Sequence, residues 1–167
     1  RGRIDRVDAR ILLAEAIGRP ASFLIAHPEA PLTTAEQQRF CDWLTRREAG
    51  EPVAYLVGTR EFYGRRFAVS PAVLIPRPET ELLVEAALAL KLPDAARVCD
   101  LGTGTGAIAL ALKTEQPAWQ VSGVDRIVEA LELAAANAQL NGQLEVNWLL
   151  SHWFAALPAD SRFDLIV

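Results

Sequence analysis

The sequence predicts an α/β fold that combines a small helical module, a β-hairpin and a parallel sheet flanked by helices. Apolar residues recur at helical spacing through the first fifty positions, and short aromatic and β-branched runs broken by glycine follow over 53–73. Beyond residue 80, segments typical of strands and helices alternate, which predicts parallel strands joined by right-handed crossovers. The predicted domains are a helical module at 1–52, a hairpin and proline-rich linker at 53–79, and a sheet domain at 80–167.

The composition is that of an ordinary folded protein, because 51% of the 167 residues are hydrophobic and 23% are charged. A net charge of -4 argues against broad nucleic-acid binding, which needs clustered Lys and Arg. No apolar run approaches the roughly 20 residues that span a bilayer, and no signal core is visible, so a cytoplasmic protein is predicted. Cys41 and Cys99 lie in apolar runs and are predicted to be buried thiols. The scattered Cys and His predict no metal site.

Three helices are predicted in the helical module. The first spans 4–17 and is followed by Gly18, and a short second helix spans 22–26. Thr33 and Glu36 have the spacing of a capping box and predict the start of a third helix, which ends at Gly50.

The linker is predicted to be extended. The runs 53–57, 61–64 and 67–69 predict a hairpin with Gly64 near its turn. Prolines at 71, 76 and 78 then predict a stiff connector, because each fixes its own φ and restricts the residue before it.

The sheet domain is predicted to begin with a helix that Thr80 caps and that continues to Leu90. The predicted strands are 97–101, 120–124, 144–150 and 163–167. The helices predicted between the first three strands are 107–113 and 127–140.

A glycine loop joins the first predicted strand to the next helix. Gly102, Gly104 and Gly106 alternate there with Thr103 and Thr105. Glycine permits close approach of a ligand to the backbone, and free N–H groups at a helix start can bind an anion. At the end of the following strand, the carboxylate of Asp125 could accept hydrogen bonds from both hydroxyls of a ribose.

The pattern of this loop is consistent with two different cofactors. Gly102, Gly104 and Ala107 satisfy the dinucleotide pattern G-x-G-x-x-G/A, which would indicate an NAD enzyme. Asp100 and Gly106 complete D-x-G-x-G-x-G, which resembles the signature of class I methyltransferases and favours S-adenosylmethionine. In that case the anion would be the methionine carboxylate. A loop without a ligand is least favoured, because so many glycines are entropically costly without a use.

Four stretches of the sequence carry a closer resemblance. They are Gly-Glu-Pro-Val-Ala-Tyr-Leu at 50–56, Arg-Glu-Phe-Tyr at 60–63, Leu-Ile-Pro-Arg-Pro-Glu-Thr-Glu at 74–81 and Asp-Leu-Gly-Thr-Gly-Thr-Gly-Ala-Ile-Ala-Leu at 100–110. Together they resemble the HemK/PrmC family of release-factor glutamine N5-methyltransferases. The resemblance implies a Rossmann-like methyltransferase domain truncated at its C-terminal side and S-adenosylmethionine as cofactor. It also implies that the helical module engages a peptide chain release factor.

The resemblance also implies roles for single residues. The loop would hold the methionine part of the cofactor, Asp125 the ribose, and Trp153 would lie against the adenine, although an ordinary core position for Trp153 is the alternative. His152 departs from the family, which usually has Asp there, and is expected to be a surface or satisfied histidine. The residues predicted to bind the cofactor are Asp100, Gly102, Thr103, Gly104, Thr105, Gly106, Asp125 and Trp153.

The catalytic motif of the family, Asn-Pro-Pro-Tyr, follows the strand that corresponds to 163–167. Catalytic residues are therefore expected after Val167, and this stretch alone is expected to be inactive. Two rivals remain open: an adenine-N6 DNA methyltransferase, which shares that motif, and a cofactor-binding domain without catalysis. The acidic composition and the helical module count against the DNA enzyme.

Three charged residues at the end of the connector have two interpretations. Arg77, Glu79 and Glu81 could fasten the connector over the cofactor cleft. Glu79 and Glu81 could equally be favourable acids in the first turn of the helix that follows, and this second interpretation is favoured.

Overall fold

The helices and strands of the chain fall into two units. A computed structural model describes residues 4–142 and 144–167. The first unit is Arg1–Gly58 and the second is Thr59–Val167. Within the described residues, no helix is long and apolar enough to cross a membrane.

The described residues of the first unit form four helices. These are α1 (Arg6–Ala16), α2 (Ala21–Ala26), α3 (Thr34–Glu48) and α4 (Val53–Val57). The first three confirm the prediction. At the start of α3 the capping box forms as predicted, because the Glu36 N–H donates to Thr33 Oγ1 at 3.3 Å and the Thr33 N–H donates to Glu36 Oε2 at 2.7 Å.

Two contacts join α3 to α1 within this unit. Arg47 Nε donates to Asp8 Oδ2 at 2.9 Å, and Arg39 Nη1 donates to the Ala16 carbonyl at 3.2 Å. The inward face of α3 is formed by positions 40, 43, 44 and 47, which are half-buried at helical spacing. Cys41 lies off that face and is exposed, so the prediction that it is buried is wrong.

The run 53–57 forms α4 and not the predicted extended segment. Pro52 precedes the helix, and Gly58 ends it with a left-handed φ of +74°. Ala54 and Leu56 are buried on it. The β-branched residues suggested a strand, but the segment between these two boundary residues forms a short helix.

The second unit begins with the predicted hairpin. Strand β1 (Thr59–Phe62) pairs antiparallel with β2 (Arg65–Ala68), and Phe62 lies opposite Arg65. The two turn residues, Tyr63 and Gly64, have φ values of +49° and +67°, as a two-residue type I′ turn requires. The Tyr63 N–H donates to Glu81 Oε1 at 2.8 Å, so Glu81 holds the hairpin turn.

The rest of the second unit alternates strand and helix as predicted. The elements are α5 (Glu81–Leu88), β3 (Arg97–Leu101), α6 (Ala107–Glu115), β4 (Gln120–Asp125), α7 (Val128–Leu140), β5 (Asn147–Leu150) and β6 (Leu165–Ile166). The strands lie in the order β5-β4-β3-β6 and all pair in parallel. This confirms the α/β fold, although the last two strands are shorter than predicted.

The predicted cap of α5 does not form. Thr80 makes no capping hydrogen bond through its side chain, because a 3-10 turn at Pro78–Thr80 already places Thr80 in a helical conformation. The helix ends at Leu88, two residues earlier than predicted.

The core of the second unit lies between the sheet, α6 and the hairpin. Phe62, Phe67, Val98, Leu110 and Leu112 are almost completely buried in one cluster. Cys99, on β3, is buried as predicted. Burial, together with the smaller effect of the neighbouring Asp100 charge, raises the pKa of the Cys99 thiol to about 11.

Two glycines make room for the ring of Trp148. A Cβ on Gly123, in the middle of β4, would overlap the ring and lie 2.6 Å from Trp148 Cε3. A Cβ on Gly106 would lie 2.9 Å from Trp148 Cη2. The indole therefore fills the space that both glycines leave beside the sheet.

The Gly123→Ala substitution is expected to lower the free energy of unfolding by about 1–3 kcal/mol, because the added methyl overpacks this site. Urea unfolding of the purified protein measures the change. In a Trp148→Leu background the same substitution should cost much less. An equal cost in both backgrounds would show that the overlap with Trp148 is not the cause.

Candidate functional site

The loop between β3 and α6 follows a path that its three glycines permit. Gly102, Gly104 and Gly106 have φ values of +79°, +53° and +77°, in the left-handed region that favours glycine. A Cβ on Gly102 would meet no atom within 4 Å, whereas one on Gly106 would meet Trp148 and Ala134. Gly102 therefore leaves space for a ligand, and Gly106 serves packing.

Most N–H groups of the loop are already bonded inside the protein. Gly102 and Thr103 both donate to the Val124 carbonyl, at 2.8 and 2.9 Å. Gly104 donates to Asp125 Oδ2 at 2.9 Å, and Gly106 donates to the Thr103 carbonyl at 2.8 Å. The tight turn therefore uses these four N–H groups to hold itself together, and the anion site expected at the helix start stays a prediction.

The carboxylate of Asp100 lies at the start of α6. It accepts hydrogen bonds from Thr103 Oγ1 at 2.7 Å and from the Ala109 N–H at 3.2 Å, and the residue is 2% exposed. A protein carboxylate thus already interacts with the N-terminus of this helix. Burial raises the pKa of Asp100 to about 6, against the effect of its hydrogen bonds with Thr103 and Ala109.

Asp125 lies at the carboxyl end of β4 and has partners on both oxygens. Oδ2 accepts the Gly104 N–H, and Oδ1 accepts the Ile127 N–H at 3.1 Å. Each carboxylate oxygen can accept more than one hydrogen bond, so the group can still bind hydroxyl donors. Asp125 and Gly102 line the same cleft, and the ribose site stays a prediction.

An open cleft of about 200 Å³ lies at the carboxyl ends of the strands. Its lining consists of Leu101, Gly102, Val124, Asp125, Arg126, Ser151, His152 and Trp153. Ligands of open parallel sheets bind at this edge. The volume is below the roughly 300–1,000 Å³ of pockets that enclose a whole ligand, so the cleft fits part of a cofactor.

The structure brings some predicted residues into the cleft and places others behind it. Gly102, Asp125 and Trp153 line the cleft together. The others shape the loop from buried or half-buried positions; they are Asp100, Thr103, Gly104, Thr105 and Gly106.

Trp153 has two features that are uncommon for a large aromatic residue. Its side chain is 60% exposed, and its backbone has a left-handed φ of +53°. Its ring meets that of His152 edge-on, with centroids 6.5 Å apart. Such exposure within this chain is not typical of a core tryptophan, and strained backbone is often found at binding sites. His152 is exposed, in agreement with the expectation of a surface histidine.

Sequence reasoning missed two residues that shape this region. The Ser151 N–H donates to the Asp125 carbonyl at 2.9 Å and so joins the end of β5 to the end of β4. Asn137, fully buried on α7, donates to the Thr105 carbonyl at 3.0 Å. The available signal was an asparagine at helical spacing from Ala130 and Ala134.

Family models match both parts of the chain. Residues 92–167 match a model described as a methyltransferase domain, which confirms the predicted class and supports S-adenosylmethionine as its cofactor. A solved tRNA (uracil-54, C5)-methyltransferase from Pyrococcus abyssi, in complex with S-adenosyl-L-homocysteine, superposes with a TM-score of 0.52. It is 16% identical and covers 65% of this chain and 26% of its own, so it shows the fold alone.

Residues 3–58 match a model described as the PrmC N-terminal domain. This part of the chain therefore resembles the N-terminal domain of the PrmC family. Curated relatives named release factor glutamine methyltransferase include those of Salmonella typhimurium, 50% identical, and Pseudomonas aeruginosa, 51% identical. Each alignment runs over 162 residues and 97% of this chain. The chain spans 58% of the length of either relative.

The raised pKa of Asp100 predicts how stability depends on pH. Its pKa is about 6 in the folded state against 3.8 for the free side chain, so the folded state holds the proton more tightly. Its contribution is fully present below pH 3.8 and is lost as the pH rises through about 6. The Asp100→Asn variant should not show this loss, which amounts to at most about 3 kcal/mol for a pKa difference of this size.

Denaturant unfolding of both proteins at pH 4, 5, 6 and 7, roughly the interval between the two pKa values, measures the effect. Wild-type stability should fall relative to Asp100→Asn across this interval. A constant difference between the two proteins would contradict the raised pKa.

Proposed function

We propose that the protein containing this chain transfers a methyl group from S-adenosylmethionine to the side-chain amide nitrogen of a glutamine in a peptide chain release factor. The observation that carries this proposal is identity of about 50% to release factor glutamine methyltransferases over nearly the whole chain. In this proposal the helical unit engages the release factor, and the protein acts in the cytoplasm.

The residues of the cleft fit the nucleoside part of S-adenosylmethionine. The Asp125 carboxylate can accept hydrogen bonds from the ribose hydroxyls, and the exposed indole of Trp153 offers an apolar face to the adenine. At Gly102, the missing side chain permits close approach of the methionine part. Asp100, Thr103, Thr105 and Gly106 maintain the shape of the loop from behind.

The chemistry requires positioning more than acid–base catalysis. When bound, S-adenosylmethionine supplies a methyl group attached to a positively charged sulfur. That sulfur is a good leaving group because it departs as a neutral thioether. An amide nitrogen is a weak nucleophile, so its alignment with that methyl group matters, and alignment can contribute roughly 7–11 kcal/mol. The residues of this chain hold the methyl donor.

Transfer of labelled methyl from S-adenosylmethionine to a purified release factor tests the proposal. The full-length protein should label one glutamine, and Asp125→Ala should weaken cofactor binding by about a hundredfold, because two hydrogen bonds to a charged group are lost. Glu129→Ala, which removes an exposed acid on the first turn of α7, serves as the matched control and should leave binding unchanged.

Label on DNA in place of the release factor would support the adenine methyltransferase. Cofactor binding without label on either substrate would support a domain without catalysis.

Trp153→Ala is expected to weaken cofactor binding by about tenfold, since a base that stacks on an aromatic side chain gains about 1–3 kcal/mol. Phe154→Ala is its neighbour control, because Phe154 is also exposed but lies outside the lining of the cleft. Calorimetric titration with S-adenosylmethionine gives both dissociation constants. Equal effects of the two substitutions would place the adenine elsewhere.

A further inference from the structure

Asn137 has a fully buried amide whose hydrogen bonds reach two different segments. Nδ2 donates to the Ala68 carbonyl on β2 and to the Thr105 carbonyl in the glycine loop, both at 3.0 Å. Oδ1 accepts the Ala68 N–H at 2.7 Å. One side chain on α7 therefore bonds the hairpin and the loop at the same time.

Packing of α7 does not by itself require a polar side chain at position 137. The other buried residues of α7 are Ala130, Ala134 and Ala138, so the inner face of the helix is otherwise apolar. Burying an amide there is unfavourable unless its donors and acceptor are bonded. Both donors of Nδ2 and the acceptor Oδ1 are bonded, which fixes the orientation of the side chain.

The two bonds with Ala68 give the side chain a firm anchor. They involve both the N–H and the carbonyl of one residue of β2, as a neighbouring strand would. The hairpin itself is held by Phe62 and Phe67, which are buried in the core. The third bond of Asn137 is therefore made from a fixed position.

That third bond fixes the part of the loop that has the most backbone freedom. Thr105 lies between Gly104 and Gly106, both left-handed. The rest of the loop is held from the sheet, since Asp100 bonds Thr103 and Asp125 bonds Gly104. Asn137 thus supplies the side-chain contact from the helix side.

We propose that Asn137 is a positioning residue for cofactor binding. It fixes the Thr105 carbonyl to strand β2 and so holds the glycine loop in the shape that accepts the cofactor. The inference rests on the proposed function only in taking S-adenosylmethionine as the ligand of this loop. Its consequence is that the hairpin, which lines no part of the cleft, contributes to cofactor affinity.

The test compares Asn137→Leu with Asn141→Ala in the full-length protein. Asn141 lies one turn further along α7, and its Nδ2 donates to the Arg66 carbonyl at 3.1 Å and to the Asn137 carbonyl at 2.9 Å. It therefore contacts the same hairpin and leaves the loop alone. Calorimetric titration with S-adenosylmethionine gives the dissociation constants, and thermal unfolding gives the stability of each variant.

Asn137→Leu should raise the dissociation constant by about tenfold, and Asn141→Ala by less than about twofold. A purely structural role would lower the unfolding midpoint of Asn137→Leu and leave its dissociation constant at the wild-type value, and that result would overturn the proposal. A wild-type protein that binds no S-adenosylmethionine would overturn the proposed function, and this inference with it.

Hydrogen exchange in the wild-type protein tests the same inference should Asn137→Leu fail to fold. Addition of S-adenosylmethionine should slow exchange of the Ala68 amide together with the amides of 102–106, because Asn137 joins the two segments. Protection of 102–106 with unchanged exchange at Ala68 would overturn the proposal.

Discussion

The site depends on the buried carboxylate of Asp100. Asp100 lies on β3, accepts the Thr103 hydroxyl from the loop and accepts the Ala109 N–H from the first turn of α6. Strand, loop and helix are therefore fixed to one another by a single group. Burial of a charged group is unfavourable, and the raised pKa of Asp100 reflects that cost. The fold tolerates it because the two hydrogen bonds determine the path of a loop that three glycines would otherwise leave flexible.

Much of the fold could be predicted because its signals are local. The capping box at Thr33 and Glu36 needs only two residues at the right spacing, and the turn at Gly64 needs only a backbone that tolerates positive φ. The errors arose where tertiary packing decides. The run 53–57 forms a helix between Pro52 and Gly58, and Cys41 lies off the inward face of α3 although its neighbours are apolar.

The candidate site was predictable to a smaller extent. The glycine spacing and the place of Asp125 at a strand end indicated the loop and the edge of the sheet where a ligand binds. The sequence could not show that the loop amides bond to Val124 and Asp125, since these contacts join residues far apart in the chain. The same holds for Asn137, whose partner Ala68 is 69 positions away.

The two thiols of the chain differ in a way that affects the chemistry of the whole molecule. Thiolates, and not thiols, react with oxidants and alkylating agents, and a pKa of about 11 leaves Cys99 almost entirely protonated at neutral pH. Its burial also excludes reagents from the strand that leads into the glycine loop. Oxidative damage or a covalent label would therefore fall on the exposed Cys41 of the helical unit. The strand that leads into the glycine loop therefore carries the unreactive thiol of this chain, and the helical unit carries the accessible one.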